Sequence, residues 1–343
     1  MQKMLLKNGR IISPNNLKIK KKISIGIVGS GKMAEHYINV VNSFNHKLEA
    51  IVSISNNKNA LKLARKYKTK LYTSYNEASL NKKNINAWII CVRWSEIYKC
   101  LKYFIKLKQP LLVEKSIDID SKSLEKFYKS NKRYFGKISF AYNRNYYDYI
   151  FKLIKIINTS GPIYLEAKFY DLYNKILNDK GKKIKKYLPY YITSHWVVLI
   201  LKILKLLKIK IKSILVKKLS SSKINFKVLS FNLKLRKSFF FMKIYNFPNM
   251  PKNHSIEIFL KKGHLQISPI EKLVHNKNMK IKKSFKKKYS SNSDIYTVND
   301  RLKPGLRFMY YDFIKKNFYD EKSILETDIR ELIIAYKVCE KLM

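Results

Sequence analysis

The sequence predicts an α/β protein in two parts: a doubly wound parallel sheet at the amino end, then an α+β domain on a mainly antiparallel sheet. Three observations predict this. A β-branched run from Ile23 to Val28 breaks into Gly29-x-Gly31-x-x-Ala34 and then into a helical pattern. From there to about Phe140, apolar strands alternate with amphipathic helices, the order that builds a parallel sheet with helices on its faces. After Ile150 the apolar period falls to two with short turns between runs, which marks antiparallel strands with one face covered.

The elements follow in order. Strands are predicted at 48–54, 87–92, 111–113 and 137–141, with helices at 59–67, 96–107 and 121–131. A helix at 147–157 leads through Gly161-Pro162 into a strand at 163–170. Alternating runs at 223–235 and 238–245 and a hairpin at 256–267, turning at Gly263, supply the second sheet. The stretch 196–216 is strongly apolar but carries Lys202, Lys205, Lys208, Lys210 and Lys212. A spanning helix needs about 20 predominantly apolar residues, so a buried helix with a lysine face leading into a strand is expected; a membrane-surface helix is the alternative. Segment 276–300, rich in lysine and serine, is expected to be a mobile loop, and Pro304-Gly305 introduces two closing helices.

Composition narrows the function. A chain of 343 residues suits two domains, and 46% hydrophobic content can bury two cores. The formal charge of +49 comes from 72 basic and 23 acidic residues. Its lysines are spread along the chain among Asn, Ile, Tyr and Phe, whereas nucleic-acid readers gather arginine and lysine on one face. No specific nucleic-acid partner is therefore expected, and the basic field favours anionic small molecules. Cys91, Cys100 and Cys339 lack metal-ligand spacing and are too few for a disulfide framework, so no metal and a cytoplasmic location are expected. No signal peptide is read in residues 1–22.

The glycine motif carries the chemistry. Gly29 permits a tight turn, Gly31 lets the backbone approach phosphates, and Ala34 lets the helix pack close to the strand. Ser30, Lys32 and Met33 complete the turn and the helix start, whose free N–H groups would take a dinucleotide pyrophosphate. An ordinary strand-to-helix turn is the bland alternative. At the end of the second strand, Val52-Ser-Ile-Ser-Asn-Asn-Lys58 offers no carboxylate for ribose hydroxyls. Ser55, Asn56 and Lys58 could instead hold a 2′-phosphate, which favours NADP over NAD. Arg93 and Trp94, closing the third strand, could contact the cofactor or simply pack in the loop.

The glycine turn, the strand end Val113-Glu114-Lys115, the strand Ser139-Phe-Ala-Tyr-Asn143-Arg144 and the pair Ser194-His195 together resemble the Gfo/Idh/MocA oxidoreductases. The resemblance runs over nearly the whole chain from Ile23. It implies a Rossmann domain followed by an open antiparallel sheet, with NAD or NADP between them, a sugar, cyclitol or nucleotide sugar as substrate, and homo-oligomers formed through the outer sheet face. The expected division is an N-terminal extension at 1–22, a dinucleotide-binding domain at 23–142 and a substrate-binding and oligomerisation domain at 143–343, with helices at 306–343 packing back on the first domain.

Glu114-Lys115 corresponds to the family's Glu-Lys-Pro, with Ser116 in place of the proline. Lys115 ends a parallel strand, where open α/β sheets place their ligands, and its ammonium can stabilise a developing alkoxide. A surface lysine among many is the alternative. His195 matches the histidine beside the substrate and can carry the hydroxyl proton near neutral pH; a core histidine beside Trp196 is its alternative. Asn143 and Arg144 are expected to line the domain junction as candidate substrate contacts, with bracing of the hinge as the alternative for Arg144. Two family aspartates are replaced, by Tyr191 and Val198. An ammonium beside a phenol favours its ionised form, so a Tyr191–Lys115 pair is one replacement for the lost Asp-His relay, and packing of Tyr191 on the sugar or on Tyr190 is the other. The expected activity is NAD(P)-dependent oxidation or reduction of a sugar or nucleotide-linked sugar, as in surface-polysaccharide synthesis. The rival from another class is a catalytically degenerate member that binds dinucleotide or sugar as a sensor or assembly subunit.

Overall fold

A computed structural model describes residues 6–7, 10–11, 16–54, 57–160, 162–170, 187–206, 211–220, 225–233, 239–246, 254–261, 263–277, 293–298, 300–323 and 325–341. The chain divides into two units, one of residues 1–146 with 300–336 and one of 147–299 with 337–343.

The first unit is built on six parallel strands: β1 (Ser24–Val28), β2 (Lys47–Val52), β3 (Lys70–Tyr72), β4 (Ala87–Ile90), β5 (Leu111–Val113) and β6 (Ile138–Phe140). Their order is β3-β2-β1-β4-β5-β6. The order reverses between β1 and β4, which makes the carboxyl ends of those strands the place for a ligand. Helices α1 (Lys32–Ser43), α2 (Lys58–Lys66), α3 (Tyr75–Leu80), α4 (Ile97–Phe104) and α5 (Ser121–Asn131) make the crossovers. The strands read as continuous apolar runs because both faces are buried: Ile25, Ile27, Val28, Ile89, Ile90 and Val113 are fully enclosed. β3 and α3 escape the sequence pattern, since three and six residues are too short to show a period.

Helix α8 (Leu306–Phe318) packs on α1, where Tyr310 hydroxyl meets His46 Nδ1 at 2.6 Å and Arg307 lies 4.4 Å over the Phe44 ring. Arg307 also donates to the carbonyls of Leu17 and Ser43, which ties the amino-terminal segment down. Below α8, Tyr146 hydroxyl donates to the buried Asp312 carboxylate at 2.9 Å, and Ser323 hydroxyl donates to the same oxygen. Thr327 bridges Phe140 and so covers the outer edge of β6.

Burial pushes Asp312 up to about 6, against hydrogen bonds that pull the other way. A carboxyl whose folded value is raised contributes stability below its unfolded value of about 4 and loses that contribution as pH rises through about 6. Asp312→Asn keeps an acceptor for both hydroxyls without the charge. The stability of the wild type relative to this variant is expected to fall by on the order of 3 kcal/mol between pH 4 and 6, read from denaturant melts across pH. A pH-independent difference would contradict it.

The second unit carries β7 (Pro162–Tyr170), β8 (Ile211–Ser220), β9 (Asn225–Leu233), β10 (Phe239–Asn246), β11 (Ser255–Leu260), β12 (Gly263–Ile267), β13 (Lys272–Asn276) and β14 (Ser293–Thr297). Their order is β8-β9-β10-β7-β11-β12-β13-β14, and only β10 and β7 run parallel. Leu165, Ala167, Phe169, Ile256, Ile258, Leu265 and Ile267 point to the covered face, where α6 (Tyr149–Ser160) and α7 (Ser194–Leu206) belong to the same unit. Trp196 of α7 stacks on Phe169 with ring centres 4.5 Å apart. Alternate residues Tyr164, Glu166, Glu257, Phe259 and His264 are partly or well exposed, and His264 Nε2 pairs with Glu257 at 2.5 Å.

Two expectations change. Of the expected lysine face, Lys208 and Lys210 lie outside the described residues and Lys212 falls in β8; within α7, Lys202 is buried and Lys205 exposed, because a lysine stem can be enclosed by apolar neighbours. In segment 276–300, expected to be a loop, residues 278–292 lie outside the described residues and 293–297 form β14, paired with β13. All five β14 residues are at least partly exposed, so no apolar alternation announces that edge strand. The chain ends in α9 (Ile329–Lys341), and no helix among the described residues is long and apolar enough to cross a membrane.

Candidate functional site

The glycine turn leaves β1 at its carboxyl end. Gly29 has φ +122°, a conformation L side chains avoid, and a Cβ there would lie 2.6 Å from the Cys91 carbonyl oxygen. Gly29 N–H donates to Val52 O and Cys91 N–H to Val28 O, both at 2.8 Å, so the turn is stitched between β2 and β4. Gly31 is the N-cap of α1 and is exposed; a Cβ there would meet nothing within 4 Å. Ala34 N–H is bonded back to Gly31 O at 2.9 Å, which leaves the N–H groups of Gly31, Lys32 and Met33 as the orphan donors of the helix start. Ala34 is fully buried, as close helix packing requires. An unobstructed position at Gly31 beside the amino end of α1 fits a pyrophosphate.

Side chains that follow β2 brace this turn, and apart from one helix cap no local motif marks them. Ser30 Oγ lies 3.3 Å from Ser53 Oγ and accepts from Asn57 Nδ2 at 2.8 Å, and Asn59 Nδ2 donates to Ser30 O. Asn57 also caps α2, accepting from Ala60 N–H at 2.8 Å. Its N-cap position was the available signal. Ser55 and Asn56 lie outside the described residues, and Lys58 is exposed in the first turn of α2.

Met33 receives a hydrogen bond from Lys303 Nζ at 2.9 Å. Burial, Lys303 and Lys32, in that order, push the His36 imidazole down, so the start of α1 stands in a positive field. Nothing in the local sequence connects Lys303 with this turn. Its segment is held there because Asn143 Nδ2 donates to Pro304 O at 2.9 Å. Arg144, beside it, is half-buried.

Past β4, Arg93 is exposed and Trp94 half-buried at the start of a short 3-10 turn. Past β5, Glu114 is buried and accepts from the enclosed Tyr37 hydroxyl at 2.6 Å, so this carboxylate anchors α1 to the strand end. Burial and then Glu114 push both Tyr37 and Cys91 up, which keeps them protonated. Lys115 is half-buried at the same edge; its backbone N–H donates to Glu114 Oε2 at 3.2 Å, and the Lys115–Ser116 peptide is cis. Ser116 Oγ is buried and has no hydrogen-bond partner among the described residues.

In the second unit, His195 is buried in the first turn of α7, directly after a π turn at Pro189–Thr193. The preceding Tyr190 is buried and donates to Glu340 Oε1 at 2.8 Å, and Ser194 hydroxyl donates to Tyr190 O. Tyr191 is half-buried within the π turn. That turn brings residues five apart into register, so a spacing of four no longer by itself stacks Tyr191 on His195. Gly29, Ser30, Gly31, Lys32, Met33, Arg93, Trp94, Glu114 and Lys115 therefore share the carboxyl edge of one sheet, while Tyr191 and His195 belong to the other unit.

Residues 23–137 match the model of the Gfo/Idh/MocA group, described as an oxidoreductase family with an NAD-binding Rossmann fold. These residues are thus similar to the Rossmann domain of that family. No curated protein matches the chain. Solved structures extend the likeness to the second unit. UDP-N-acetylglucosamine 3-dehydrogenase GnnA from Acidithiobacillus ferrooxidans aligns at TM-score 0.69 and 10% identity, over 94% of this chain and 97% of that one. A super-repressor mutant of Gal80p from Saccharomyces cerevisiae aligns at TM-score 0.72 and 12% identity, over 94% and 95%. The myo-inositol 2-dehydrogenase of Lactobacillus plantarum aligns at TM-score 0.66 and 14% identity, over 93% and 96%. Over nearly its full length the chain thus has the Gfo/Idh/MocA fold.

Proposed function

We propose that this protein is an NAD(P)-dependent oxidoreductase that acts at a carbinol or carbonyl carbon of a sugar or nucleotide-linked sugar, with a role in carbohydrate or surface-polysaccharide metabolism. The observation that carries the proposal is the open, side-chain-free space over Gly31 at the start of α1, in a domain whose family is NAD-binding. The names of two structural relatives, a UDP-N-acetylglucosamine dehydrogenase and an inositol dehydrogenase, support a polyhydroxylated substrate.

The turn from Gly29 to Ala34 holds the pyrophosphate, with Arg93, Trp94 and Glu114 at neighbouring strand ends of the same edge. When bound, the nicotinamide supplies the hydride acceptor or donor. Lys115 hydrogen-bonds the reacting oxygen and offsets its negative charge as the carbon is oxidised or reduced. His195 takes the hydroxyl proton in oxidation and returns it in reduction, with Tyr191 as the other candidate proton carrier and Asn143 and Arg144 as substrate contacts. The protein is proposed to work as a cytoplasmic homo-oligomer.

A non-catalytic reading has its own support. Tyr191 replaces the aspartate of the relay, and the fold is shared with Gal80p, known here through a super-repressor mutant. Calorimetric titration with NADH and NADPH, followed by a panel of nucleotide sugars and cyclitols scored by nicotinamide absorbance, separates the two. Dinucleotide binding with turnover of any panel member establishes the enzyme; binding without turnover across the panel favours the sensor, and no dinucleotide binding removes the enzyme and leaves only a sugar-binding role.

The cofactor preference is a separate expectation. With Ser53 at the end of β2, no carboxylate in 52–58 and Lys58 exposed nearby, NADPH binds at least as tightly as NADH. A clear preference for NADH in side-by-side titrations overturns that choice.

A further inference from the structure

We infer that Lys303 is a cofactor-phosphate contact, a cation delivered to the glycine turn from a distant part of the chain. The inference rests on the dinucleotide site proposed above and adds a residue to it. Lys303 Nζ lies 2.9 Å from Met33 Sδ, and Met33 belongs to the helix start that follows Gly31, where an added Cβ would meet nothing within 4 Å. A thioether is a weak acceptor and an ammonium carries three donors. One donor on sulfur therefore places the cation without using its capacity, and a phosphate oxygen at the start of α1 is the strong acceptor the position suits.

The placement is built into the fold. Leu306 N–H bonds back to Lys303 O at 3.1 Å and Leu302 N–H to Asp300 Oδ1 at 3.1 Å, which folds the segment into a turn. Asn143 pins the next carbonyl, and Gly305, with φ +74°, starts α8, which packs on α1. The lysine is thus fixed against the very helix whose amino end it flanks. Its field already reaches His36, one turn along α1, where it opposes a positive charge together with Lys32. The same field favours a phosphate. Gly31 and Met33 bring backbone donors to the site; Lys303 brings a full charge.

The test compares ADP and adenosine as competitors of bound NADH in the full-length protein. Lys303→Met is expected to weaken ADP by about tenfold, the size of a lost hydrogen bond to a charged group, and to leave adenosine unchanged. Raising the salt concentration should narrow that gap, since exposed charges are screened. Lys303→Arg should retain most of the ADP affinity. Thermal melts of both variants confirm the fold. Equal ADP affinity in Lys303→Met and wild type overturns the inference, as does an equal loss for ADP and adenosine. If the wild type binds neither NADH nor ADP, the dinucleotide site itself falls, an outcome distinct from either of these.

Discussion

Gly31→Val yields a folded protein that no longer binds NADH or NADPH. The added side chain meets no neighbour within 4 Å of its Cβ, so folding is spared. It fills the space over the α1 donors, and a pyrophosphate that cannot reach them loses both hydrogen bonds and the helix-end field. A loss beyond about a hundredfold, roughly 2.7 kcal/mol, is expected in calorimetric titration. Gly29→Ala is the opposite experiment. Its Cβ would press on the Cys91 carbonyl at 2.6 Å, in a backbone with φ +122°. The conformational strain alone is about 1–3 kcal/mol, so this variant loses stability in a denaturant melt. Two glycines separated by one residue thus serve different ends, one the fold and the other the ligand. A Gly31→Val protein that binds dinucleotide normally would remove the site from the α1 amino end.

Lys115→Met lowers kcat by about 10²–10³-fold, the usual effect of removing one donor from a developing oxyanion, while NAD(P)H affinity holds within a few-fold. Lys115→Arg does not restore the rate, because a planar guanidinium does not replace a compact ammonium. His195→Ala lowers turnover by about 10²–10⁴-fold through the lost proton transfer. Tyr191→Phe decides between the two proton carriers. A Tyr191→Phe enzyme with full turnover across the pH range rules out the phenol and leaves the role to His195. Unchanged kcat in Lys115→Met would remove the lysine from the chemistry.

The legible part of the fold was the part with a period. Strand β1, the glycine turn and α1 read directly from 23–43 because three signals coincide there: a β-branched run, glycines at fixed offsets and an amphipathic helix. The hairpin at 256–267 was legible because Ile256, Ile258, Leu265 and Ile267 alternate with polar residues. β3, α3 and β14 were not, being too short or too exposed to leave a pattern. The candidate site divides the same way. The phosphate turn and Lys115 follow local motifs, whereas the bracing of Ser30 by Ser53, Asn57 and Asn59 depends on where β2 ends beside β1.

By itself the sequence determined the alternation of elements, the two classes of sheet and the phosphate-binding turn, since all of these depend on neighbours within one or two turns of the chain. Only the tertiary structure decided what long separations bring together. Lys303 reaches Met33 across 270 residues, Tyr37 holds Glu114 across 77, and Tyr146 meets Asp312 across 166. Such pairs have no spacing to detect, because they are set by strand order and by the packing of α8 on α1. The strand order β3-β2-β1-β4-β5-β6 is likewise absent from any local pattern and comes from how the crossovers wind. It is that order which reverses at the paired strands β1 and β4 and sets the amino end of α1 at their carboxyl ends.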